Sequence, residues 1–438
     1  SRRRHTRCSR DWSSACALPI LLGIISLTSC KKDFVNPNAP TTDQVFSSSR
    51  GLVGVNIGNQ RTYSLGGASV IYSTVTTNAF ATNEVILMNS GNTAEFQFSK
   101  GGSSVDATNT VLANAWTNAN KVIYDANSVL AAAAAINDKN YASGLIAHAS
   151  ILKALAMGTL SMFWEKVPDS IGKNVTFSDR MAGYARAIAV LDNAINTVKA
   201  TPISAAYTSD AIAGLDYLNT LYALKARYAL FSGKYSDALA AANSVDLTKK
   251  STFNYDAVST NPIFTTVTST NNVYQAIDST LGLPAALAPS AGDGRIAFYT
   301  SINATINPRY RINGFYNATT TGIPVYLPSE MTLIKAEAYA RANDLTNALT
   351  ELNKVVTKTA AADPFKVGAN LPASTASTQA DLLTEIYKNR CIELYMSGLK
   401  IEDMRRFGRP TSEMKRNFFP YPFKERDGNT NTPADPSF

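Results

Sequence analysis

The chain has 438 residues, of which 45% are hydrophobic and 17% charged, enough apolar material for a sizeable core and unlike a disordered segment. Its 41 Lys and Arg against 33 Asp and Glu give a net charge of +8. Five of those bases (Arg2, Arg3, Arg4, Arg7, Arg10) and one acid (Asp11) stand in the first 29 residues, which leaves 36 bases against 32 acids, or +4, over the rest. With no Lys/Arg run longer than a pair, that remainder is not the footprint of a nucleic-acid binder.

The N-terminal stretch is Arg-rich and leads into the apolar run 15-ACALPILLGIISL-27 and then 27-LTSC-30. Thirteen apolar residues are too few to span a bilayer, and a basic start, a short apolar run and small residues describe a secretory signal over 1–29. Leu27-Thr28-Ser29-Cys30 also resembles the bacterial lipobox, whose cysteine takes up lipid through its thiolate and becomes the first mature residue. The alternative is a plain signal with an incidental cysteine. Cys8 and Cys16 leave with the signal, and a lipidated Cys30 leaves Cys391 without a disulfide partner.

Helices are expected near 42–62, 107–136, 141–164, 181–199, 215–233, 236–245, 329–342, 345–357, 378–397 and 399–407, from Ala/Leu-rich periodic windows broken by Gly, Pro and Asn. They come as pairs. In two of them, 226-ARYALFSGKYSDALAAAN-243 and 336-AEAYARANDLTNALTELN-353, Gly233 aligns with Asn343, Tyr235 with Leu345 and Ala238 with Ala348. A residue tolerant of left-handed backbone, a spacer, a large apolar residue and an Ala three later is the turn of a tetratricopeptide-like hairpin. The fold class is therefore mainly α, a solenoid-like scaffold of helical hairpins.

His148, the single histidine after the signal, sits in the apolar run 144-GLIAHASILKALAM-157 and reads as a core residue rather than a catalytic one. Cys391 lies among Tyr387, Leu394 and Tyr395 with no histidine near in sequence, and reads as a buried small hydrophobe rather than a nucleophile. No metal site and no cofactor is expected.

Residues 246–328 do not read as helix. They are rich in Thr, Ser, Asn and aromatics, and an irregular insert with isolated short strands is expected there. Such an insert on a regular scaffold is a natural place for function. Its rings either pack the insert against the helices or offer faces to a ligand. Tyr299, Tyr310 and Tyr316 are the candidate ligand-binding residues.

The stretch 389-NRCIELYMSGLKIEDMRRFG-408 is dense in acids and bases. Arg390 and Glu393 are spaced as i,i+3 partners, as are Lys400 and Asp403, and Glu402 reaches Arg405 and Arg406. With no nucleophile beside it, the ladder reads as a device that orients helices, each exposed pair worth ~0.3 to 0.5 kcal/mol.

In order along the chain, several segments resemble the SusD/RagB family of outer-membrane nutrient-binding lipoproteins. They are 30-CKKDFVNPNAPTT-42, 116-WTNANKVIYDANSVL-130, 163-FWEKVP-168 with Trp164 in place of the family's Gly, Asp293-Gly294-Arg295 with Gly in place of Pro, and 323-IPVYLPSEMTLIKAEAYARAND-344 with Ala336-Glu337-Ala338. The stretch 389–408 is similar to the family's E-R-x-x-E-L-x-x-E-G-x-R-x-x-D-L-x-R, matching at Arg390, Glu393, Leu394, Gly398, Asp403 and Arg406 and departing at Asn389, Ser397, Lys400 and Met404. The resemblance implies a SusD-like domain over 30–438 that is anchored by lipid at the outer membrane and that, as a binder and not an enzyme, captures nutrient oligomers, most often glycans, without cleaving them. It further implies a TonB-dependent outer-membrane barrel as partner. Two other classes stay open at this point. A glycoside hydrolase would need two facing carboxylates, for which Glu84, Glu95, Glu165 and Asp169 are available, and a helical-repeat adaptor would bind protein only.

Overall fold

A computed structural model of the protein describes residues 42–267 and 272–438; the expected signal over 1–29 and Cys30 lie outside the described residues. Eleven helices carry the scaffold. They are α1 (Ser49–Ser64), α2 (Val70–Ala81), α3 (Thr110–Ala133), α4 (Lys139–Phe163), α5 (Arg180–Ala200), α6 (Tyr217–Phe231), α7 (Tyr235–Asn243), α8 (Pro328–Arg341), α9 (Leu345–Val356), α10 (Gln379–Glu393) and α11 (Lys400–Arg406). From α3 to α10 each helix packs on the next in chain order, while α1 lies across α3 and α4 and α11 contacts α10 and α2.

Local chemistry explains where the helices begin. Asn109 accepts from the backbone N–H groups of Val111 and Leu112, Asp138 from Tyr141, Asp179 from Met181, Asp216 from Asn219 and Asp344 from Asn347, each satisfying an amide that the first turn leaves free. Helix α4 is long and apolar enough to cross a membrane, yet its sides are covered by α3, α5 and α6, as befits the central helix of a core.

The paired turns behave as their alignment implies. Gly233 has φ +70° and Asn343 φ +60°, and in both the next amide reaches back across the turn, Lys234 to Ala229 and Asp344 to Tyr339, at 2.9 Å each. Ala238 and Ala348 are both fully buried where the second helix crosses the first.

Several helices are absent from the expectation, α2 the longest of them. α2, VIYSTVTTNAFA, is β-branched and polar in composition and buried along all twelve residues, so no polar face marks its period. Thr93–Lys100 is a further short helix. The expected 42–62 element is divided into Thr42–Phe46 and α1, with Ser48 capping the latter through the N–H of Gly51.

Residues 246–328 contain short strands and short helices rather than long ones. Thr252–Phe253 pairs with Ile323–Pro324 and so ties the two ends of the insert together. Thr300–Ile302 pairs with Tyr310–Ile312, and Tyr274–Ala276 pairs outside the insert with Val85–Leu87. All these pairings are antiparallel.

Candidate functional site

The hairpin of 300–302 and 310–312 forms one wall of an open cleft of about 470 Å³. Facing it is the short helix Pro262–Val267, whose first turn is capped by Asn261: the Oδ1 accepts from Ile263 and Phe264, while the Nδ2 donates to the carbonyls of Phe315 and Thr321. Gln275 links the two walls, its Oε1 accepting from the Ile312 amide at 2.8 Å and its Nε2 donating to the Val267 carbonyl. The cleft reaches Val267 and Asn272, which flank residues 268–271 outside the described residues.

Amides dominate the lining: Asn272, Gln275, Asn303, Asn313 and Asn317, with Phe264 and Ile306 as apolar patches. Among them stands Arg311, cross-strand from Ser301. Its Nη1 and Nη2 are buried and have no hydrogen-bond partner among the described residues. An unpaired buried donor costs roughly 1 to 3 kcal/mol, and a charged one more, so the guanidinium is held ready for acceptors that the described residues do not supply. Among the described residues, no carboxylate lines this cleft.

The three tyrosines singled out from sequence are not brought together. Tyr299 is 1% exposed, packed against Phe298, Phe315 and Tyr395, and donates its hydroxyl to the Glu393 carbonyl. Tyr316 is 3% exposed and donates to the Met396 carbonyl at 2.7 Å. Both fasten the insert to the end of α10, and protein already covers their faces. Tyr310 is half-buried on the strand that carries Arg311, with the Arg309 guanidinium 5.9 Å from its ring centre. Arg311 and the asparagines around it were missed because a charged residue and scattered amides give no periodic signal; only the fold gathers them.

The acids considered for hydrolysis are likewise dispersed. Glu84 is buried and accepts from the Met396 amide, its carboxyl pushed up by burial. Glu95 accepts from the Tyr72 hydroxyl at 2.9 Å, Glu165 is exposed, and Asp169 is held low by the Ser178 and Thr176 hydroxyls and by Arg186. His148 is fully buried, with Nδ1 3.0 Å from the Tyr207 hydroxyl and Nε2 2.7 Å from Gln60 Oε1, and burial lowers its pKa to about 3. Cys391 is buried too, and desolvation pushes its thiol up to about 12, far from an activated nucleophile.

Residues 233–436 match the SusD family model. The described fold is also that of solved SusD superfamily structures. One from Bacteroides thetaiotaomicron is 15% identical with a TM-score of 0.68, covering 88% of this chain and 98% of that one. The chain has a SusD-like fold. A laminarin binding SusD-like protein is 16% identical with a TM-score of 0.65 over 89% of this chain and 99% of that one. A SusD-like carbohydrate binding protein from Bacteroides vulgatus is 16% identical with a TM-score of 0.64 over 82% and 83%. At such identities the likeness is one of fold. None of the curated proteins matches the chain.

The segments that resemble the SusD family are where the SusD-like fold is fastened. Arg295 of the Asp-Gly-Arg element donates to Asp293, Glu393 and Asn389. Lys358 bridges Asp363 and Glu393 at 2.6 and 2.9 Å. Arg406 forks onto Glu337 of α8 at 2.7 and 2.9 Å and reaches Asp403 at 2.7 Å. Trp116 donates to Glu425 and Trp164 to the Pro420 carbonyl, at 3.0 Å each, so the C-terminal tail is bound rather than merely laid on the surface.

The pairing within 389–408 differs from the expected ladder. Arg390 bonds Asp403, not Glu393, and Glu393 turns to Arg295 and Lys358. Lys400, freed from Asp403, points its Nζ to the Leu281 carbonyl at 3.4 Å. Glu402 does take Arg405, and adds Arg180 at 2.7 Å. These groups are buried, so they join distant segments rather than decorate one helix, and the small figure for exposed pairs does not apply to them.

Proposed function

We propose that this SusD-like protein captures nutrient oligomers, oligosaccharides foremost, in the insert cleft and releases them intact. The observation that carries the reading is the pair of Arg311 nitrogens unpaired among the described residues, in an amide-lined cleft to which those residues bring no carboxylate. Amide and guanidinium groups meet the dense hydroxyls of a sugar, and Phe264 and Ile306 offer it apolar contact, while Tyr310, next to Arg311 on a strand whose neighbours face opposite sides, does not line this cleft. Tyr299 and Tyr316 serve this site as the frame beneath it. Carbohydrate binding in two proteins of the same fold supports the choice of ligand.

In the same reading the chain is a SusD-like domain over 30–438 held at the outer membrane by lipid on Cys30. A binder so anchored cannot carry its ligand inward, so a TonB-dependent barrel receives it. The test of the binding step is calorimetric titration with a panel of oligosaccharides and peptides, followed by recovery of the ligand. Saturable binding of an oligosaccharide recovered intact is the expected result. Shortened products would make the protein a hydrolase, and binding of peptides alone would favour an adaptor. For the anchor, growth with a labelled fatty acid should mark the protein, and Cys30→Ala should remove the label.

A further inference from the structure

A second concave site lies on the helical scaffold, on elements that the insert cleft does not use. It is a groove of about 560 Å³ between α3, α4, α5 and the segment 167–171. Its volume is that of a small-molecule site. The floor is apolar, formed by Ile123, Met157, Leu160, Val167, Ile171 and Val190. Tyr124, 59% exposed, borders it with most of its surface open to solvent. The groove continues past Asn120, Pro168, Ser170 and Ile171 into a smaller recess of about 250 Å³, which gives it the shape for an elongated occupant.

Its charges do not balance. Arg186 and Asp169 satisfy one another at 3.0 Å. That leaves Lys153, half-buried on α4, as the one cation of the groove with neither a hydrogen bond nor an ion pair among the described residues. Burial lowers its pKa from the ordinary lysine value with no anion opposing the shift. At the base, the Ser161 hydroxyl is buried and also without a partner among the described residues. A long apolar trough with a single uncompensated ammonium has the complement of a carboxylate on a hydrocarbon chain.

We propose that this groove binds a small amphipathic carboxylate, its anionic head on Lys153 and its apolar chain along Met157, Leu160 and Ile171. The head supplies the counter-ion that the lysine lacks, and the chain covers surface that water now wets. Sugars, with hydroxyls on every side, suit the amide-lined insert cleft instead.

The test is titration calorimetry of the whole protein with sodium octanoate and, in parallel, 1-octanol. Two variants accompany the wild type. Lys153→Met keeps the length and apolar stem of the side chain but removes the charge, and Ala189→Trp places a ring in the groove from an exposed position of α5. Octanoate should bind the wild type, weaken about tenfold or more in Lys153→Met, as expected for a charge-assisted hydrogen bond, and fail to bind Ala189→Trp. Octanol should be indifferent to Lys153→Met and lost in Ala189→Trp. No octanoate binding to the wild type, or equal octanoate affinity in wild type and Lys153→Met, would overturn the proposal. Oligosaccharide binding by Ala189→Trp should stay that of the wild type, which separates this site from the insert cleft.

Discussion

Arg390 and Asp403 form an ion pair sealed in the interior, 0% and 1% exposed, with Nε donating to Oδ2 at 3.0 Å and Nη2 standing 3.0 Å from Oδ1. Burial alone would raise the Asp403 carboxyl, but the Arg390 and Arg406 charges outweigh it and hold the pKa below the ordinary value. Removing one partner strands the other charge in the core. Asp403→Leu should therefore lower stability by about 3 to 5 kcal/mol in urea unfolding, and the pair Arg390→Met with Asp403→Leu should recover much of that loss. A single variant as stable as the wild type would contradict the buried pair.

The buried histidine sets a pH limit. Its folded pKa, about 3, lies below the ordinary 6.5, so between these values the unfolded chain binds a proton that the folded chain does not. Stability contributed by neutral His148 is thus complete above pH 6.5 and declines as pH falls toward 3. Unfolding followed from pH 7 to pH 4 should show a slope of up to ~1.4 kcal/mol per pH unit from this group, absent in His148→Gln. An unchanged slope in the variant would place the acid sensitivity elsewhere.

Surroundings, not backbone conformation, separate two glycines. Gly398 has φ +79° and sits against Thr74, whose Cγ2 a Cβ would approach to 3.0 Å, while Gly233 has φ +70° and open space around it. Gly398→Ala should cost about 1 to 3 kcal/mol. Gly233→Asn should stay within about 1 kcal/mol, because Asn343 already holds the equivalent turn. Melting curves of the two variants give the comparison directly.

These contrasts show what was legible in the sequence. The hairpin turns were, because Gly233 and Asn343 announce a left-handed residue between periodic helices, and so was the interior place of His148, set in an apolar run. The buried helix α2 was not, since a helix covered on every side needs no polar face. Nor were the partners of Glu393: spacing along one helix proposes Arg390, whereas Arg295 and Lys358 arrive from segments 98 and 35 residues away. Aromatic content marked the insert, but it could not tell Tyr299 and Tyr316, which pack inward, from Tyr310 at the surface. The cleft itself rests on amides and one arginine that only the folded hairpin assembles.

The central claim is that the insert cleft binds an oligosaccharide through Arg311, and the most direct measurement is calorimetric titration of Arg311→Met beside the wild type with the best ligand of the panel. Hydrogen bonds to a charged group contribute about 1.5 to 3 kcal/mol, so affinity should fall about tenfold or more while the melting temperature is unchanged or rises. Wild-type affinity in Arg311→Met, with the protein folded, would contradict the account.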